Sequence, residues 1–217
     1  LQPGQAMLRN LLRRLTKLLL WFAAVSAVLV LALRWIDPPG SALMVERKLE
    51  AWRQGESLPL QRQWRDWEQL PDDLKMAVIA AEDQKFASHA GFDLHAIRAA
   101  LAHNQQGGSL RGASTLSQQV AKNLFLWSGR SWPRKALEAW FTALLEALLP
   151  KERILELYLN QIFLGNNSYG VEAAARVAVP EPGAAHAVTG LDQPGGEARL
   201  ERPVELVDAR DAGAHDE

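Results

Sequence analysis

The chain contains no cysteine, which excludes a disulfide framework and any thiolate metal site and leaves the redox compartment open. It also lacks a charge imbalance: 217 residues carry a net charge of -1, so no global field draws it to nucleic acid, and no nucleic-acid partner is expected. No repeat or low-complexity array interrupts the first 67 residues. Beyond them no strand-period run competes with the helical patterns, so the expected fold is mainly α: one core-bearing domain with appendages.

Charge is also missing locally. Leu18 to Leu33 holds 16 residues without Asp, Glu, Lys or Arg, bracketed by Lys17 and Arg34 with Trp21 and Trp35 near its edges. A spanning helix needs about 20 residues, and snorkelling of the flanking cations with Trp35 and Ile36 at the interface supplies the difference. A transmembrane anchor is therefore expected over 18–36, behind a basic segment over 1–17. Arg9, Arg13, Arg14 and Lys17 all precede the run, so the positive-inside rule puts the N-terminus in the cytoplasm and the remainder across the membrane. A cleaved signal peptide is the competing reading, but Leu33-Arg34-Trp35-Ile36-Asp37 stands where a small-x-small cleavage site would be needed.

Asp37-Pro38-Pro39-Gly40-Ser41 reads as a turn, opening a membrane-proximal linker over 37–70. Within it Trp52, Trp64 and Trp67 alternate with Arg47, Lys48, Arg53, Arg62 and Arg65. Two readings stay open: a surface meeting lipid headgroups, or a solvated connector with its Trp residues anchored in the core. From 71 to 176 the pattern is that of a compact domain. Leu74, Ala77, Val78 and Ala81 follow the spacing of an apolar helix face after Pro71, Asp72 and Asp73. Leu116, Val120 and Leu124 share a second face that Ser114 could cap. Leu137, Phe141, Leu144 and Leu148 define a third behind Ser131 and Pro133. Ile154, Leu155, Tyr158 and Leu159 mark a fourth after Pro150.

The chemistry concentrates in two acidic motifs, Glu82-Asp83-Gln84-Lys85-Phe86-Ala87-Ser88-His89 and Arg134-Lys135-Ala136-Leu137-Glu138. Between them Arg111 to Leu124 supplies amides, hydroxyls and a cation, a composition suited to holding a sugar and a diphosphate between two carboxylates. Arg134 and Glu138 are four apart and can pair on one helix face. A zinc site from His89, His95 and His103 is disfavoured, because their spacings are not those of i, i+4 ligand pairs. His89 reads as a structural hydrogen-bonding residue, and Glu146 and Glu156 as surface or salt-bridge residues.

In order, wording and spacing these stretches resemble the family 51 peptidoglycan glycosyltransferases, most closely their monofunctional biosynthetic transglycosylases, over about residues 40 to 176. The resemblance implies a lysozyme-like domain on a single N-terminal membrane helix, in a bacterial inner membrane with the domain periplasmic. It implies an inverting transfer in which lipid II and the growing lipid-linked glycan are polymerised into strands with release of undecaprenyl diphosphate. Matched residue by residue, Glu82 is the expected general base on the acceptor hydroxyl and Glu138 the second essential carboxylate. Glu138 could orient cations, help hold a divalent metal, or stabilise positive charge on the donor sugar. Lys122 and Arg130 match cationic positions that would bind the diphosphate. Gln118 and Gln119 would hydrogen-bond sugar or phosphate and Asp83 would support the site. Gln84, Ser114, Thr115 and Arg134 complete the expected substrate-binding set. No cofactor is obligatory and no protein metal site is expected, with a divalent cation (Mg or Mn) admitted at the diphosphate. The expected partners are the membrane, these lipid-linked substrates and other cell-wall synthesis proteins.

The resemblance ends at Tyr169-Gly170-Val171-Glu172-Ala173-Ala174-Ala175-Arg176. Where the family continues with an aromatic-glycine-lysine segment and another helix, Val177 to Glu217 has no aromatic residue and no Lys. That composition reads as a disordered, atypical tail, as from a frameshifted or truncated ending, and it implies impaired folding or activity. Two alternatives therefore accompany the polymerase: a muramidase-like enzyme that cleaves glycan, and an inactive membrane-tethered subunit of wall assembly.

Overall fold

In a computed structural model, residues 3–105 and 112–178 are described and are mostly helical. The tail from 179 onward and Arg111 lie outside the described residues. A single helix, α1 (Pro3–Ala32), runs through the basic segment and most of the expected anchor, stopping at Ala32 short of its expected end at 36. Its Met7–Ala32 portion is long and apolar enough to cross a membrane, and most of its Leu, Val and Trp side chains are exposed.

After the turn at 37–41 comes α2 (Ala42–Arg53), capped by Ser41, whose Oγ accepts from the Met44 amide at 3.2 Å. Residues 61 and 62 form a short strand, β1 (Gln61–Arg62), which pairs in parallel with β2 (Ser168–Tyr169). A 3-10 turn at Trp67–Gln69 leads into α3 (Asp72–Glu82), and α4 (Leu94–Gln105) follows. Then come α5 (Leu116–Phe125), α6 (Trp132–Leu148), α7 (Lys151–Gln161) and α8 (Val171–Ala178).

The core is built where α5, α6 and α7 pack together. Every residue of α7 from Ile154 to Gln161 is buried, so this helix is central rather than one-faced. Its polar members are met unevenly: Asn160 and Glu156 are hydrogen-bonded, whereas the Gln161 side-chain amide and the Tyr158 hydroxyl are buried with no hydrogen-bond partner among the described residues. The Asn160 amide donates to the Arg65 and Glu156 carbonyls at 2.8 and 2.9 Å and accepts from the Arg65 amide at 2.8 Å. Glu156, expected at the surface or in a salt bridge, is buried and pairs with Arg153 at 2.8 Å, and it also accepts from the Trp67 amide at 3.1 Å.

Caps and faces differ from the sequence expectation in three places. Thr115, not Ser114, caps α5, in a reciprocal capping box with Gln118. On α3 the only buried residue is Lys75, with Leu74, Val78 and Ile79 partly buried, while Ala77 and Ala81 are exposed. On α6 the deepest positions are Glu138, Phe141, Thr142 and Leu145, with Leu137, Leu144 and Leu148 only partly buried. The third difference arises because α6 is covered on two sides, by α5 and by α1.

Helix α1 is fastened to the domain. Trp140 Nε1 donates to Ser26 Oγ at 3.0 Å, Phe22 meets the Trp140 and Phe141 rings, and Val30 is fully buried. At the helix exit Arg153 donates to the Leu33 carbonyl and to Asp37, both at 2.7 Å, as well as to Glu156. Removing one member of a buried ion pair costs about 3–5 kcal/mol. Arg153→Met should therefore lower the Tm of the detergent-solubilised chain by roughly 10 °C, whereas an unchanged melting curve would show that Arg153 is dispensable to the tether.

At the other end Glu172 fastens α8, accepting from Arg65 at 2.6 Å and from Arg176 at 2.8 Å. These bonds, Arg65 first, lower its pKa from 4.5 to about 2. A depressed folded-state pKa stabilises above the unfolded value and loses that stabilisation as pH falls through the folded one. The docking of α8 should accordingly weaken between pH 4.5 and about 2, visible as faster amide exchange in α8 before the core helices respond.

Candidate functional site

The loop that follows α3 is organised by a buried carboxylate. Asp83 is the residue that ends the helix, with extended backbone. Its Oδ2 accepts from the Leu116 amide at the start of α5 at 3.0 Å, and both oxygens lie 2.9–3.0 Å from His89 Nε2. His89 Nδ1 accepts from the Gly91 amide at 3.0 Å. That bond fixes the tautomer: Nδ1 carries the lone pair and Nε2 the proton, which it donates to Asp83. Thr115 closes the ring by donating to the Gly91 carbonyl at 2.7 Å.

Gly91 is required where it stands. Its φ is +83°, and a Cβ would lie 2.7 Å from Thr142 and 2.9 Å from Glu146. Glu146, likewise expected at the surface or in a salt bridge, is half-buried and pairs with Lys151 Nζ at 2.8 Å; it also accepts from Ser117 Oγ, while Lys151 donates to the His89 carbonyl at 2.7 Å. Residues from α5, α6 and α7 thus grip one loop.

The product of this bracing is the placement of Glu82. It stands exposed at the last turn of α3 with Oε2 accepting from Gln119 Nε2 at 3.0 Å. It lines a cleft of about 490 Å³ that also includes Asp83, Gln84, Lys85, Asp93, Ser114 and Thr115. Not all of these offer free polar atoms. The Thr115 hydroxyl and the Gln118 amide are engaged in the capping box, and Gln118 is buried. Gln84 bonds locally to the Ala80 carbonyl at 3.3 Å, and Ser114 is exposed in the cleft.

The second motif makes a different environment. Glu138 is 3 % exposed, paired with Arg134 at 2.9 Å and with Lys135. Lys122 on α5 stands within electrostatic reach. Desolvation lowers the pKa of its ammonium, the Glu138 charge raises it, and the positive charges of Arg134 and Lys135 lower it further. Arg130, exposed, lines a shallow hollow of about 320 Å³ with Ser131, Trp132, Arg134 and Lys135. Cations therefore outnumber the one buried carboxylate in this cluster.

One helix joins the two environments. Gln119, which holds Glu82, and Lys122, which feels Glu138, are three apart on α5 and so lie on one face, about 4.5 Å apart along the axis. Beyond the cationic cluster, an apolar groove of about 430 Å³ runs between α1 and α6, lined by residues such as Leu19, Leu20, Phe22, Leu137 and Trp140.

The sequence reading missed Glu46. From α2 its carboxylate accepts from the Ser128 amide at 2.8 Å and from Ser128 Oγ at 2.9 Å, steadying the segment that carries Arg130. A lone Glu in a linker has no pattern that would reveal such a contact. Among the described residues, no group of three or more His, Asp or Glu side chains is arranged to hold a metal ion.

The braced loop can be tested directly. Asp83→Ala would strand the Leu116 N–H and the His89 Nε2–H, each costing about 1–3 kcal/mol when buried without a partner. A folded Asp83→Ala protein should show lower thermal stability, with amide exchange accelerated at residues 83–93 and the α5 N-terminus rather than across α7.

The sequence profile of the Transglycosylase family matches residues 50–179. The chain is 71 % identical over 170 residues to a biosynthetic peptidoglycan transglycosylase of Stutzerimonas stutzeri, covering 78 % of this chain and 70 % of that protein. It is 72 % identical over 170 residues to the protein of that name from Ectopseudomonas mendocina, at the same coverage. To that of Pseudomonas aeruginosa it is 66 % identical over 170 residues, covering 78 % of this chain and 73 % of the relative.

Proposed function

This chain belongs to the transglycosylase family, and we propose that it polymerises lipid II from a bacterial inner membrane, with its N-terminus cytoplasmic and its catalytic domain periplasmic. The activity itself, a membrane-associated peptidoglycan glycosyltransferase, follows from the family match and from relatives named for that reaction. The observation that carries the finer reading is the pairing, along one face of α5, of an exposed carboxylate with a cation cluster. In the domain scheme that goes with it, 1–17 is the cytoplasmic segment, 18–36 the anchor, 37–70 the membrane-proximal segment and 71–176 the catalytic domain, with 177–217 a tail outside it.

The chemistry needs two different environments, and the site offers two. An acceptor sugar hydroxyl must lose its proton as it attacks, and Glu82, exposed in the cleft and oriented by Gln119, is placed to take it. The bond to the anomeric carbon forms as the bond to the diphosphate oxygen breaks, and the released electron pair leaves on the diphosphate. That side requires charge neutralisation rather than a proton. Lys122, Arg130, Arg134 and Lys135 supply it, while Glu138, paired with Arg134 and Lys135, fixes the positions of those two. Any divalent ion acting here would be bound largely through the substrate's own phosphate oxygens. Attack from the face opposite the leaving group inverts the anomeric centre. The α1–α6 groove has the apolar lining a polyprenyl chain would take. Glycan cleavage, by contrast, has no use for a cluster of cations beside the second carboxylate.

Incubation with lipid II tests this reading. Glu82→Gln should retain the fold and lower polymerisation by at least about 10²-fold, and near wild-type turnover would end the assignment. Lys122→Ala and Arg130→Ala should weaken binding of lipid-linked substrate much more than binding of a soluble glycan without the diphosphate, and equal losses would remove the diphosphate role. Shortened glycan in place of new strands would favour the hydrolase.

A further inference from the structure

The three Trp residues of the 37–70 segment do not share one environment. Trp64 and Trp67 pack against the core, and Trp67 is covered by Lys75, whose Nζ lies 4.1 Å from the ring centroid. Trp52 is 73 % exposed, and with Val45 at 66 % and Leu49 at 42 % it forms an i, i+4, i+7 stripe on α2. Met44 and Ala51, on the opposite side, are buried where α2 meets the domain. Lys48 and Arg53, both exposed, lie on the two flanks of the stripe.

We propose that this face of α2 is a membrane-docking surface, with Val45, Leu49 and Trp52 in the interfacial region of the leaflet and Lys48 and Arg53 on anionic headgroups. Two features select a lipid surface. An apolar stripe between flanking cations, with Trp at its end, is the composition of a helix lying in the interface plane. The tether also allows little else: eight residues, Asp37 to Met44, separate Val45 from exposed Ile36 at the end of the anchor, and Arg62 holds that connection folded by donating to the Pro38 carbonyl at 2.7 Å.

Docking here has a consequence for the site. The same helix turns Glu46 toward Ser128, so a helix fixed at headgroup depth holds the Arg130 segment at that depth, where the diphosphate of a lipid-linked substrate lies. The proposal rests on the reading of α1 as a membrane anchor.

The absence of cysteine makes single-site labelling direct. Val45→Cys, Leu49→Cys, Trp52→Cys, Glu50→Cys and, within α1, Leu29→Cys would each carry a fluorophore in the full chain, reconstituted into vesicles of phosphatidylethanolamine and phosphatidylglycerol. Probes at 45, 49 and 52 should be quenched by a nitroxide borne near the lipid headgroup and shielded from aqueous iodide, and the probe at 50 should show the reverse. Replacing phosphatidylglycerol by phosphatidylcholine should reduce lipid quenching at 45, 49 and 52 at least twofold without affecting position 29. Iodide access at 45, 49 and 52 equal to that at 50 would overturn the proposal. Shielding of these positions from both quenchers would also overturn it, because a protein surface would then be covering the face. Failure of the anchor reading shows separately, as loss of lipid quenching at position 29, and the α2 probes still decide the docking surface.

Discussion

A buried carboxylate has to be surrounded by donors, and Asp83 meets that requirement by drawing together elements distant in sequence. The Leu116 amide at the head of α5 and the imidazole of His89 both donate to it, so the chain cannot leave α3 in any other direction without stranding a charge. Glu82, the preceding residue, inherits its position from that constraint. Gly91, Thr115, Glu146 and Lys151 elaborate the same grip. The Glu82 carboxylate stays exposed in the cleft while its neighbour Asp83 is locked in the interior, so the buried group places the exposed one.

The second carboxylate is handled by the opposite means. Glu138 is buried among cations, where it spaces Arg134 and Lys135 and draws on Lys122. Burial strengthens these interactions, and the excess positive charge is what an anionic leaving group would meet. An exposed carboxylate and a buried one edged by cations need different dielectric surroundings, and α5 borders both by presenting consecutive turns to the cleft and to α6.

Much of this was legible in residue order. The anchor, the starts of α3, α6 and α7, and the acidic motifs stand out because capping residues, prolines and apolar spacing are local signals. The Arg134–Glu138 pair follows from helical spacing alone. Salt bridges at Glu146 and Glu156 were among the expectations, but their further hydrogen bonds were not legible, because those partners lie on other elements: Ser117 for the first, and Trp67, across 89 residues, for the second. The cap on α5 was displaced by one residue because Ser114 and Thr115 are chemically equivalent candidates, and only the Gly91 carbonyl distinguishes them.

What the sequence determined by itself was α3, α5, α6 and α7 and an N-terminal helix long and apolar enough to cross a membrane, all of which depend on neighbours within a few residues, while α2, α4 and α8 were not legible in it. Tertiary structure decided which faces were covered. The α6 helix, packed between α5 and α1, turned a polar stripe inward. The Trp residues of the 37–70 segment divided between core and surface according to where β1 and the 3-10 turn met α7 and α8. Burial belongs to pairs of elements, and no periodicity within one element specifies which partner will lie against it.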